Sequence, residues 1–191
     1  MAFETVYLAR HGQTEWNVEG RRQGRLDSPL TPHGLLQAQR NADLLGNHQI
    51  DAVFTSPLPR SRRTAEILAP ALPVEVLNDL AEIAHGAWSG LTSAEIDGIW
   101  PGMRAAREQD KYAFRFPGGE SYADADVRAG RALAEIARRG ARRPLLVSHE
   151  MIGRMLLKQL GVADALHLGQ PSDVVYRVGS GGEIDRLTAA E

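Results

Sequence analysis

The chain has 191 residues, of which 43% are hydrophobic and 24% charged, a composition that excludes a disordered or fibrous protein and suffices for one domain with a substantial core. Its formal net charge of -2 gives no basic footprint for nucleic acid, and the absence of cysteine excludes a disulfide framework, a thiolate nucleophile and a zinc ribbon. No run approaches the roughly 18 apolar residues of a membrane span, and Glu4 interrupts the first apolar stretch, so neither an anchor nor a secretory leader is expected and a cytoplasmic location is.

Residues 5–9 (TVYLA) are β-branched and apolar, which predicts a buried strand ending at Arg10-His11-Gly12. Residues 17–29 are polar and contain glycine, the pattern of a loop. Thr31-Pro32 is an N-cap and first-turn pair for a helix reaching about Leu45, stopped by Gly46-Asn47. Residues 52–55 (AVFT) are the next strand and 56–68 a helix, with Pro59 in its first turn and Pro70 past its end. A third strand is expected over 74–77, and another over 145–148 (LLVS) followed by a helix over 151–160. Strands over 174–178 and 183–187 close the chain.

Strands alternating with helices predict an α/β fold, a three-layer α/β/α sandwich on a mostly parallel sheet, with reactive groups at the carboxyl ends of strands. Residues 86–119 are irregular and carry Trp88, Trp100, Tyr112, Phe114 and Phe116, which predicts an insertion over one sheet edge within a single domain spanning 1–191.

Four constellations carry chemistry. The first is Arg10-His11-Gly12 followed by Gln13-Thr14-Glu15-Trp16-Asn17, where a buried strand gives way to a loop. The second runs from Ser56 to Ala65 and places Arg60 at a helix N-terminus, where free N–H groups and a planar guanidinium suit an anion. Arg62 and Arg63 are assigned to the surface, because three successive helix positions cannot face one pocket. The third is Ser148-His149-Glu150, a second histidine at the end of an apolar strand. The fourth, 80–90, holds Glu82 and His85 in a segment that is neither helix nor strand. Among the other histidines, His33, His48 and His167 sit in polar or helical contexts and read as surface residues, and no HExxH or H-x-H pattern indicates a metal.

Taken in order, RHGQTEWN, SPLPRSRRTAEI, AEIAHGAWSG and VSHE resemble the histidine phosphatase superfamily, which includes the cofactor-dependent phosphoglycerate mutases; RRQGRLDSPLTPHGLLQAQ and FPGGES strengthen the likeness. The resemblance implies that His11 is a nucleophile forming a phosphohistidine, that Arg10, Arg60, His149 and Asn17 hold the phosphate, that Glu82 is the proton donor and that Gln23 contacts the rest of the ester. A neutral imidazole is a competent nucleophile near neutral pH, and phosphoryl transfer asks mainly for positioning and positive donors around three equatorial oxygens. Neither a metal nor a cofactor is implied. The expected partner is a small phosphate ester, with neither nucleic acid nor membrane, and oligomeric state leaves no signature.

One residue departs from the family pattern. Glu150 stands where a small or neutral residue is usual, and it is expected to turn away from the phosphate at the start of the following helix. Mutases of the family usually follow the glutamate with arginine and then tyrosine and glycine, whereas EIAHGAWSG and the short chain resemble the phosphatase branch. The alternatives are a phosphoglycerate mutase and an inactive phosphate-binding protein.

Overall fold

A computed structural model describes residues 3–188. One six-stranded sheet runs in the order β3-β2-β4-β1-β5-β6, with β1 at Thr5–Arg10, β2 at Ala52–Thr55, β3 at Val74–Val76, β4 at Pro144–Ser148, β5 at Val175–Gly179 and β6 at Ile184–Leu187. The first four strands in that order are parallel, and β5 and β6 add an antiparallel edge. The α/β/α architecture expected from the alternation is therefore present.

The alternation of side chains along the strands makes the two faces. Val6, Leu8, Phe54 and Leu146 point into one core with α6 (Tyr122–Arg138) and α7 (Glu150–Gln159). Tyr7, Ala9, Val53, Leu145 and Val147 point into the other, closed by Ala38 and Leu45 of α2 (Pro32–Leu45) and Ala65 and Leu68 of α3 (Pro59–Leu68). Both faces are covered, as a parallel sheet requires.

Local chemistry explains where the elements begin. Thr31 caps α2 by accepting from the Gly34 N–H at 3.0 Å, with Pro32 as its first residue. α3 starts at Pro59 rather than 56, because prolines at 57 and 59 hold the residues before them extended; Leu58 has ψ 133. Residues 120–143 carry no predicted element, yet α6 fills 17 of them, started by a Ser121/Asp124 capping box.

Two expectations are corrected. Residues 17–29 are not wholly loop, since a short helix α1 (Glu15–Val18) opens there under a Thr14/Asn17 capping box. Residues 86–119 contain two helices, α4 (Ser93–Ile99) and α5 (Met103–Gln109), and the segment reaches the carboxyl end of the sheet rather than flanking an edge strand. Its Leu91 carbonyl accepts from the Arg22 N–H at 3.0 Å, and its Ser93 borders the cleft described below. Among the described residues, no helix is long and apolar enough to cross a membrane.

Candidate active site

Strand register brings the two histidines together. Arg10 of β1 is paired with Ser148 of the neighbouring parallel β4, so His11 and His149 leave the sheet side by side, and the His11 N–H bonds the Ser148 carbonyl at 3.0 Å. Their rings lie 5.1 Å apart. β2 ends one strand further along, and Ser56 just beyond it places its hydroxyl 2.7 Å from His149 Nε2. The three constellations at 10–12, 56–65 and 148–150 thus meet because β1, β4 and β2 are adjacent and end at one level.

His11 is buried, and its Nδ1 lies 2.8 Å from the Gly12 carbonyl, which must be met by an N–H; Nε2 therefore carries the lone pair. That lone pair accepts from Arg60 Nε at 3.3 Å. Burial, with Arg10 and Arg60 beside the ring, holds His11 well below the ordinary imidazole pKa, so it is neutral near pH 7. Burial, Arg60 and His11 do the same to His149. The loop carrying His11 sits hard against α2: a Cβ on Gly12 would come within 2.3 Å of the Gly34 carbonyl oxygen, and one on Gly34 within 2.1 Å of that of Gln13.

Arg60 is fixed from all sides by Asp27 Oδ1 at 2.8 Å and by the carbonyls of Leu26 at 2.7 Å and Gly24 at 2.8 Å. Arg10 is held through one terminal nitrogen, 3.0 Å from Glu150 and 3.2 Å from the Gln170 carbonyl, while its Nε is buried without a partner. His149 Nδ1 is likewise buried and unpartnered. The Ser56 hydroxyl accepts from the Leu58 N–H at 3.2 Å and shares a hydrogen bond of 2.7 Å with His149 Nε2.

Glu82 is 7% exposed and acts as the remote cap of α7. Its Oε1 accepts from the N–H groups of Ile83 at 2.9 Å and Ile152 at 3.0 Å, and Oε2 from that of Met151 at 3.2 Å. A carboxylate at a helix N-terminus is favoured by the exposed N–H groups and the dipole. His85, three residues on, is packed against Phe116 with ring centroids 4.7 Å apart and is driven to a pKa of about 3 by burial and by Arg22, Arg107 and Arg60.

A cleft of about 250 Å³ opens over these groups, bordered by Arg10, His11, Asn17, Gln23, Arg60 and Glu82 among others. Of the seven site residues expected from sequence, only His149 does not border it; that ring is fully buried and packs beside His11. Asn17 spends its carbonyl on the Thr14 N–H at 3.0 Å and keeps its amide N–H groups. Gln23 is committed to the protein at both ends, donating to Thr14 Oγ1 at 2.7 Å and accepting from Ser28 at 3.2 Å, so its first task is to hold the loop.

Glu150 corrects the expectation. It does open α7, but it stays on the cleft wall as the counter-ion of Arg10 at 3.0 Å and Arg154 at 2.6 Å. His48 is also more than a surface residue, with Nδ1 3.1 Å from the Tyr7 hydroxyl, whereas His33 and His167 are exposed. Asp27, Ser56 and the half-buried Arg22 are site residues that no sequence motif singles out. Only the preference of a buried guanidinium for a carboxylate hints at Asp27, and nothing in the chain order ties it to Arg60.

Two histidines and two arginines around one anion-sized cleft, at the carboxyl end of a parallel sheet, define a class. The chain belongs to the histidine phosphatase superfamily, the model of whose branch 1 matches residues 6–173. It is 40% identical over 164 residues to the probable phosphoglycerate mutase of Serratia proteamaculans (strain 568), covering 82% of this chain and 75% of that protein. Over 136 residues it is 35% identical to phosphoserine phosphatase 1 of Hydrogenobacter thermophilus, covering 70% of this chain and 64% of that protein. A solved structure of a mycobacterial glucosyl-3-phosphoglycerate phosphatase with VO3 superposes with a TM-score of 0.85 at 32% identity, over 98% of this chain and 100% of that one.

Proposed function

We propose that the protein hydrolyses small organic phosphate monoesters through a phosphohistidine on His11, without a metal. The observation that carries this reading is the state of His11: its Nδ1 is pinned to the Gly12 carbonyl, and a neutral Nε2 sits beside Arg60 on the cleft. In the first step the ester enters as its phosphate monoanion and passes its proton to the Glu82 carboxylate, His11 Nε2 attacks phosphorus, the P–O ester bond breaks, and the leaving alkoxide takes that proton from Glu82. In the second a water gives a proton to Glu82 and attacks phosphorus, the P–N bond breaks, and phosphate leaves with His11 neutral again.

Donors for the equatorial oxygens come from the guanidiniums of Arg10 and Arg60, which border the cleft, while His149 packs against the His11 ring and positions it. Oε2 of Glu82 accepts one N–H where Oε1 accepts two, which makes Oε2 the oxygen with a lone pair left for the proton. Asn17 adds its amide N–H, and the cytoplasmic pool of small esters supplies the substrate.

A mutase shares the first step, and one relative carries that name. The phosphatase reading is favoured by the residues after Glu82, where a buried, neutral Ile83 stands in place of the arginine and His85, packed on Phe116, in place of the tyrosine. Assaying a panel of phosphate esters in excess EDTA, beside interconversion of 2- and 3-phosphoglycerate primed with 2,3-bisphosphoglycerate, tests both points. Hydrolysis is expected to survive chelation and to exceed isomerisation. Loss of turnover restored by a divalent ion contradicts the metal-free step, and dominant isomerisation reverses the branch.

A further inference from the structure

Four arginines line the cleft, and three have a carboxylate in reach: Arg10 has Glu150 at 3.0 Å, Arg21 has Glu19 at 2.8 Å, and Arg60 has Asp27 at 2.8 Å. Arg22 has none within 4.0 Å among the described residues, and its Nε is buried with no hydrogen bond. Its backbone is clamped by the Leu91 carbonyl at 3.0 Å and the Gly90 N–H at 2.7 Å, and its guanidinium lies 5.7 Å from the centre of the Trp88 ring. This is a placed cation, not a solvated surface one.

Arg22 also borders a second cleft of about 440 Å³, shared with Trp88, Asp97, Arg104, Arg107 and Glu108. There Arg104 is matched by Asp97 at 2.8 Å and Arg107 by Glu108 at 2.9 Å, which leaves the charge of Arg22 over. Trp88 is fully buried beneath that guanidinium, so its ring supports Arg22 in place. Burial and the neighbouring Arg107 and Arg104 press the Arg22 guanidinium below its usual pKa, the sign of a charge that an anion would relieve.

We propose that Arg22 forms a distal anion subsite, so that the preferred substrates are phosphate monoesters whose alcohol carries a second anionic group, a carboxylate or a second phosphate. The proposal rests on the phosphatase reading for the position of the first phosphate. The reacting phosphoryl group sits over His11, and the leaving alcohol extends toward Arg22 with its anion against the free guanidinium. Sugar phosphates with only hydroxyls leave that cation unmatched.

Equilibrium binding tests the subsite separately from turnover. Titration calorimetry on the His11→Ala protein compares 3-phosphoglycerate with glycerol 3-phosphate, which has CH2OH in place of the carboxylate, and fructose 1,6-bisphosphate with fructose 6-phosphate. The member with the second anion is expected to bind about tenfold tighter or more in at least one pair, the worth of a charge-assisted hydrogen bond. The pair with the larger ratio identifies the anion. Adding Arg22→Met, which keeps an apolar stem over Trp88, is expected to bring that ratio to within about twofold. Arg22→Gln does the same should the methionine variant fail to fold. Equal affinities within both pairs, or a ratio indifferent to Arg22, overturn the subsite. Absence of hydrolysis by the wild type with the binding contrast intact instead overturns the phosphatase reading.

Discussion

Glu82 holds two jobs in one carboxylate. Both oxygens accept backbone N–H groups, two of them from the first turn of α7, so the side chain fixes that helix as well as facing the cleft. Glu82→Gln keeps the size but turns an amide NH2 toward an N–H, and it is expected to cost about 1–3 kcal/mol of stability, measured by denaturant unfolding. Its catalytic effect is separable because a general acid matters in proportion to leaving-group basicity, with a typical worth of about 10²- to 10⁴-fold. The substitution is expected to lower kcat/KM for an alkyl phosphate far more than for p-nitrophenyl phosphate, whose phenolate leaves unprotonated. Equal losses on both would make Glu82 a positioning residue, and the acid would then be sought at Glu150, which also borders the cleft.

His85 makes a pH prediction at the same scale. Its folded pKa of about 3 lies below the ordinary 6.5, so the unfolded chain binds a proton that the folded one refuses. Stability contributed by the neutral, packed ring is complete above about pH 6.5 and falls as the pH drops from there toward 3, at about 1.4 kcal/mol per pH unit. The penalty of His85→Gln, read from unfolding midpoints, is therefore expected to be smaller at pH 4.5 than at pH 7.5 by about 2–3 kcal/mol. A penalty independent of pH would mean that His85 takes up its proton as readily in the folded protein as in the unfolded one.

At the scale of elements, the His11 loop and α2 are matched through glycine. In an ordinary helix Gly→Ala gains about 1 kcal/mol. At Gly34 the new Cβ would stand 2.1 Å from the Gln13 carbonyl oxygen and 2.8 Å from its nitrogen, both backbone atoms that cannot swing aside. Overpacking of this kind costs about 1–3 kcal/mol, so the clash outweighs the propensity and Gly34→Ala is expected to lower both the melting temperature and kcat, since the strain is delivered next to His11. A stabilised variant with unchanged kcat would show the loop free to move. The elements themselves were legible where apolar runs ended in a turn signal, as at β1, β2 and β4. α6 was not, because its buried face is built largely from Ala125, Ala129 and Ala132 and carries Asp126 and Arg128, so few large apolar residues mark its period.

Across the whole molecule, what could be read and what could not divide by range. His11, Arg60, Glu82 and His149 each lie in a local block that names a residue type and a place at a strand end or loop. Their partners are long-range: Asp27 meets Arg60 across the loop, Glu82 finds the N–H groups of residues 151 and 152, and Glu150 turns to Arg10 instead of away. Such contacts depend on the order β2-β4-β1 and on the path of the segment at 86–119, neither of which a motif encodes. The unmatched charge of Arg22 is legible only once every other arginine on the cleft has been given its carboxylate.

The central claim is that one imidazole carries the phosphoryl group, and acid or base quenching during turnover of a labelled ester tests it most directly. The wild type is expected to yield a phosphoenzyme that is stable in base and labile in acid, with the label on His11 after peptide mapping, and His11→Ala to yield none. Label on His149, or a phosphoenzyme of the opposite stability, would contradict the account.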